Sequence, residues 1–198
     1  MRDVTLAIMA GGRSRRMGQN KSFVSVHGKP MIEHILERLT PLQCPTILIT
    51  SLFDDYEQYH LPMFADIIPD QGALGGLYTA LHVSETPYVL CVACDMPFLN
   101  LDVLRHFISL RKTGDAVAAY LDNTWQIFPA LYNTSAVPYL RACIESQTLR
   151  MQQVFQGLAV HTLTCANLVP FDPTLRSFIN INTPTELEAA QTPCTPWL

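Results

Sequence analysis

Apolar runs of strand length alternate along this chain with stretches whose apolar positions recur every three or four residues. Residues 4–9, 46–50 and 88–94 are short and continuously apolar, the pattern of strands buried on both faces. Residues 64–68, 115–121, 126–132 and 160–164 read as further strands, with Pro129 marking an edge or a bulge in the third of these. Met31, Ile32, Ile35, Leu36 and Leu39 repeat at helical spacing behind Pro30, a residue suited to the first helical position. Leu101, Leu104, Phe107 and Ile108 form a second stripe after Asn100, a natural N-cap. Val137, Leu140 and Ile144 form a third, and Met151, Val154, Phe155 and Leu158 a fourth, which Gly157 helps to end. Residues 54–60 read as helix or loop, and a short helix is expected around 186–190. Strands alternating with helices of this length predict an α/β fold, a mostly parallel sheet with helices on both faces.

At 198 residues the chain suits a single domain, expected over 1–191, with 192–198 and their two prolines as a loose tail. A hydrophobic content of 48%, a charged content of 15% and a mean hydropathy of +0.16 describe a globular chain rather than a disordered one. The formal net charge of −4 argues against nucleic acid or anionic lipid as a partner of the whole surface. No apolar run approaches the roughly 20 residues of a membrane span, and Met1-Arg2-Asp3 leads directly into a strand without a signal peptide, so no membrane association and a cytoplasmic location are expected. Cys91 and Cys94 have C-x-x-C spacing, but on a strand positions three apart point to opposite faces, so the pair cannot close on one metal ion. The other cysteines and the histidines are scattered singly and are assigned no metal.

The chemistry gathers where strands end. After the first strand, Ala10, Gly11 and Gly12 open a loop carrying Arg13, Arg15, Arg16 and Lys21 and no acid, the local composition of a phosphate grip. Residues 71–76 form a second glycine-rich stretch, read as a loop before a helix, with Asp70 ahead of it. Asp95 emerges from the most apolar strand, where a carboxylate points to function. In parallel sheets these ends share one crevice, at the point where strand order reverses. The first loop is neither G-x-G-x-x-G nor G-x-x-x-x-G-K-[ST], which counts against a dinucleotide redox cofactor and P-loop hydrolysis.

Ala10-Gly-Gly-Arg-Ser-Arg-Arg-Met-Gly-Gln-Asn-Lys21 instead resembles the A-G-G-x-S-x-R-M-G-x-x-K signature of the nucleotidyltransferases, most closely the molybdenum cofactor guanylyltransferases. Gly28-Lys-Pro30, Pro69-Asp70, Cys94-Asp-Met-Pro-Phe98, Pro129-Ala-Leu-Tyr132 and Asn180-Ile-Asn-Thr-Pro184 extend the resemblance over nearly the whole chain. It implies a single-domain, Rossmann-like fold and transfer of GMP from GTP to the terminal phosphate of molybdopterin, with release of pyrophosphate. It implies GTP contacts at Met9, Ala10, Gly11, Gly12, Lys21, Thr50, Asp70, Gly75 and Asp95, Thr50 standing where the family has asparagine. It further implies Arg16, Lys21 and Asp95 as the catalytic set, Asp95 as the ligand of Mg2+, Asn180 and Asn182 on the pterin side, and delivery proteins for the cofactor as partners. A sister enzyme using CTP or a sugar-phosphate acceptor, and a nucleotide-binding protein without turnover, are the alternatives.

Overall fold

The computed structural model describes residues 2–11 and 20–191. In chain order the described elements are β1 (Val4–Met9), β2 (Ser25–Val26), β3 (Lys29–Pro30), α1 (Met31–Leu39), β4 (Thr46–Ile49), α2 (Phe53–Tyr56), β5 (Met63–Phe64), α3 (Gly72–Val83), β6 (Tyr88–Ala93), α4 (Leu101–Ser109), β7 (Ala116–Leu121), β8 (Thr124–Asn133), α5 (Val137–Glu145), α6 (Met151–Gln156), β9 (Val160–Leu163), α7 (Cys165–Leu168) and α8 (Pro184–Gln191). Seven strands form one sheet in the order β5-β4-β1-β6-β8-β7-β9, and β2 and β3 pair as a separate small hairpin. Within the large sheet β8 runs antiparallel to both of its neighbours, while the other pairings are parallel.

Side chains alternate along the central strands and so build two cores. Val4, Leu6 and Ile8 of β1, with Leu90 and Val92 of β6, pack under α1, α4 and α7. Ala7, Met9, Val89 and Cys91 face the other way, under α3, α5 and α6. Every residue of β1 is buried, which is why its sequence is apolar without alternation. Each fully buried Leu, Ile or Phe in these layers stabilises the fold by about 1.5–3 kcal/mol relative to exposure. Cys91 belongs to the second core and Cys94 packs against the first, as strand spacing requires.

The structure departs from the expected elements in four places. The strand expected over 64–68 stops at Phe64, because the Ile67 N–H leaves the ladder and donates to Thr79 Oγ1 of α3 at 2.9 Å. The glycine-rich stretch is not a loop but the opening of α3. Gly75 and Gly76 lie inside that helix because it packs too closely for side chains: a Cβ on Gly76 would stand 2.8 Å from Met9 Cε, and one on Gly75 3.1 Å from the Ile68 carbonyl oxygen. Pro129 is not on an edge: it sits on β8, between β6 and β7, following a cis peptide bond, where the register with β7 shifts, so of the two expected settings the bulge is the one found. Pro30 is the N-cap of α1 and closes the hairpin rather than occupying the first helical position.

Strand order reverses between β1 and β6. From β1 the chain crosses to β4 and β5 on one side, and then returns to β6 on the other. The C-terminal ends of β1 and β6 therefore flank the crevice where parallel sheets bind ligands.

Candidate active site

A cleft of about 310 Å³ opens at that crevice, lined on the β1 side by Met9, Ala10 and Gly11 and on the β6 side by Ala93, Cys94 and Asp95. The ends of β1 and β6 are tied together by the Cys94 N–H, which donates to the Met9 carbonyl at 3.1 Å, and the end of β1 is tied to β4 by the Ala10 N–H, which donates to the Ile49 carbonyl at 2.9 Å. Gly72 and Ala73 also line the cleft, and no side chain caps the first turn of α3. The positive end of that helix dipole thus borders the cleft and favours an anion there.

Lys21 opens a short turn of 3-10 helix, Lys21–Phe23, whose N-cap is Asn20. Both neighbours of Lys21 are held by Tyr56, which is fully buried. The Tyr56 hydroxyl donates to Ser22 Oγ at 2.6 Å and accepts from Asn20 Nδ2 at 3.2 Å. Burial pushes the Tyr56 phenol up to about 12, so it stays protonated as a donor near neutral pH. The lysine is thereby fixed at its backbone, and its ammonium reaches across to Asn182 Oδ1 at 2.7 Å.

Asp95 is half-buried, and its Oδ1 is wholly withdrawn from solvent with no hydrogen-bond partner among the described residues. Burial raises its carboxyl above the ordinary range, and the Lys21 ammonium pulls in the opposite direction. The segment bearing Asn180 and Asn182 reaches the same place, since the Ile181 N–H donates to the Asp95 carbonyl at 2.9 Å. An orphaned carboxylate oxygen is a donor for a hard divalent ion whose shell phosphate and water complete, while the Lys21 ammonium is left for phosphate. Among the described residues no group of three or more His, Cys, Asp or Glu side chains could hold a metal by itself. Cys94 supplies no nucleophile, because burial pushes its thiol to about 11.

Of the residues expected at the site, Met9, Ala10, Gly11, Lys21 and Asp95 meet in the cleft, and Asn182 joins them through Lys21. Gly12 and Arg16 lie outside the described residues, as do Arg13, Arg15 and 192–198. Thr50 is buried just beyond β4, its hydroxyl accepting from the Leu52 N–H at 3.1 Å. Gly75 is an interior residue of α3, Asp70 is an exposed turn residue with φ +61°, and Asn180 is exposed. Sequence reasoning missed Asp66, whose half-buried carboxylate lines the cleft against the glycines of α3 and is raised by burial. It missed Phe128 on the β8 side as well. A second cavity of about 510 Å³ lies along the same sheet end, where Gln126 shares a face of β8 with Phe128, and Tyr120, Thr164 and Phe178 complete its walls.

The chain is similar in sequence and fold to known proteins. Residues 6–161 fit the family described as the MobA-like NTP transferase domain. The molybdenum cofactor guanylyltransferase of Vibrio vulnificus is 33% identical over 185 residues, covering 91% of either chain, and that of Syntrophotalea carbinolica is 30% identical over 183 residues, covering 91% of this chain and 87% of its own. The crystal structure of molybdopterin-guanine dinucleotide biosynthesis protein A from Archaeoglobus fulgidus superposes with a TM-score of 0.82 at 29% identity, over 94% of this chain and 96% of that one. The 4-diphosphocytidyl-2C-methyl-D-erythritol synthase of Anaerococcus prevotii, at 14% identity and a TM-score of 0.71, over 95% of this chain and 94% of its own, shares the fold. With the β1–β6 crevice, the glycine-bearing α3, Lys21 and Asp95 all inside the matched span, the chain belongs to the MobA-like NTP transferase domain family.

Proposed function

We propose that the protein transfers the guanylyl group of GTP to the terminal phosphate of molybdopterin, releasing pyrophosphate and forming the guanine dinucleotide cofactor. Family membership and the guanylyltransferase relatives support GTP and molybdopterin as its substrates. The observation that carries the reading to particular residues is the meeting of Lys21 with the unpaired Asp95 carboxylate at the crevice.

In the transfer, an oxygen of the acceptor phosphate forms a bond to the α-phosphorus of GTP. The bond from that phosphorus to the bridging oxygen breaks, and its electron pair leaves on pyrophosphate. No covalent bond to the protein is needed, so its residues bind, align and offset charge. Met9, Ala10, Gly11 and Gly12 lie along the nucleotide, and Gly75 lets α3 close beside it. Lys21, with Arg16, meets the departing phosphates. Asp66 supplies a carboxylate on the nucleotide side.

Asp95 fits Mg2+, because that ion keeps several waters and is satisfied by one or two protein carboxylates. Asp95 would hold the ion, which when bound would offset the charge that develops on the leaving group. Asn180, Asn182 and the larger cavity form the acceptor side in this reading. Residues 1–191 act as one transferase domain in the cytoplasm, exchanging molybdenum cofactor with delivery proteins and without a nucleic acid or membrane partner. No helix among the described residues is long and apolar enough to cross a membrane.

The test is pyrophosphate release from the protein incubated with Mg2+, molybdopterin and each nucleoside triphosphate in turn. Turnover with GTP above CTP and ATP is expected, and equal or greater turnover with CTP would move the protein to a sister activity.

A further inference from the structure

The hydrogen bond from Lys21 Nζ to Asn182 Oδ1 joins positions 161 apart in the chain, and Asn182 is held as firmly as the lysine. Glu186 Oε2 accepts from the Asn182 N–H at 2.5 Å and from the Thr183 N–H at 3.0 Å, and the Glu186 N–H returns to Thr183 Oγ1 at 3.2 Å. Thr183-Pro184-Thr185-Glu186 is therefore a capping box that opens α8, with proline at the first helical position. A box of this kind satisfies the free N–H groups of a helix start. This one also clamps the backbone of the residue that faces Lys21. On the other side, Ile181 is fully buried with Val24, Val26 and Met31, and Leu187 of α8 packs on that cluster.

The chemistry of the contact is specific. An amide oxygen accepts one of the three ammonium protons and leaves two for phosphate oxygens. It is neutral, so it aims the charge without cancelling it, which a carboxylate would not do. A lysine otherwise spreads over many rotamers, and fixing it before the nucleotide arrives removes that ordering cost from binding.

We infer that Asn182 is a positioning residue for Lys21, holding the ammonium toward the leaving phosphates, and that the Glu186 capping box sets Asn182 in place. The inference rests on the proposed reading of the cleft as a triphosphate site, and it moves Asn182 from the acceptor side to the nucleotide side.

Calorimetric titration of GTP and of GMP into the wild type, Asn182→Ala, Lys21→Ala and the double variant tests it, alongside KM for both substrates. Asn182→Ala is expected to weaken GTP binding about tenfold, in the range of one charge-assisted hydrogen bond, and to leave GMP binding and the molybdopterin KM unchanged. In the Lys21→Ala background the second substitution should add nothing, since both act through one contact. Asn182→Asp should bind GTP more weakly than the wild type, because a carboxylate neutralises the lysine. Glu186→Ala should follow Asn182→Ala, and Glu186→Gln, which keeps an acceptor oxygen, should recover most of the loss. A raised molybdopterin KM with intact GTP binding, or full additivity with Lys21→Ala, would overturn the positioning role. Loss of any preference for GTP over GMP in the wild type would instead overturn the triphosphate reading on which it rests.

Discussion

Replacing Tyr56 by phenylalanine deletes one oxygen from the support of Lys21 and leaves the ring in place. The ring keeps its contacts with Phe23 and Tyr59, at centroid distances of 5.2 and 6.5 Å, so apolar burial is unchanged. The loss is polar: Ser22 is completely buried and gives up the hydroxyl 2.6 Å from its Oγ, and Asn20 gives up an acceptor at 3.2 Å. Leaving one buried polar partner unsatisfied costs about 1–3 kcal/mol. At about 2–4 °C per kcal/mol for a chain of this size, the unfolding midpoint should fall by about 2–12 °C. Thermal unfolding followed by circular dichroism reads this directly, and the urea dependence should keep its slope because no extra surface is exposed. The same change loosens both neighbours of Lys21, so GTP affinity should fall with stability. A midpoint within about 1 °C of the wild type, together with unchanged GTP affinity, would refute the claim that Tyr56 fixes the lysine segment.

Asp95→Asn should abolish transfer while leaving the fold intact, and should change how stability depends on pH. The folded carboxyl is raised above its ordinary 3.8, so its contribution to stability is fully present below the unfolded value and is lost as pH rises through the folded value. The variant should therefore gain on the wild type over that rise, and parallel stability curves in acid titration would contradict the burial argument. Asp66→Asn should weaken GTP binding more than Asp70→Asn, because Asp66 lines the cleft and Asp70 is exposed outside it; the reverse order in a calorimetric comparison would restore the expectation for Asp70.

The strands that frame the site were legible because burial on both faces leaves a mark no other element makes. β1, β4 and β6 are continuous apolar runs, and Asp95 stood out as a carboxylate at the end of the last of them. The glycines of α3 were misread because glycine disfavours helix in isolation. Only the approach of the Met9 side chain and the Ile68 carbonyl, which a Cβ would crowd, gives these glycines a reason to lie in a helix. Asp66 was hidden for a related reason. Read as a strand, 64–68 gives that aspartate no special place, and the Ile67 bond to Thr79 that turns the chain toward α3 belongs to tertiary packing. Pro129 suggested an edge or a bulge because it cannot donate to a ladder, and β8 keeps a neighbour on each side with its register shifted, which is the bulge. The β2–β3 hairpin was not legible as strands, since strands of two residues carry no periodicity. Lys21 and Asn182 were each singled out by motif, but their contact is a product of topology.

The central claim is guanylyl transfer to molybdopterin at the β1–β6 crevice. Its most direct test uses GTP labelled at the α-phosphate, with Mg2+ and molybdopterin, and follows where the label goes. Label is expected in a molybdopterin–guanine dinucleotide for the wild type and none for Asp95→Ala. Label remaining in GTP, released as free GMP, or transferred equally well by Asp95→Ala would contradict it.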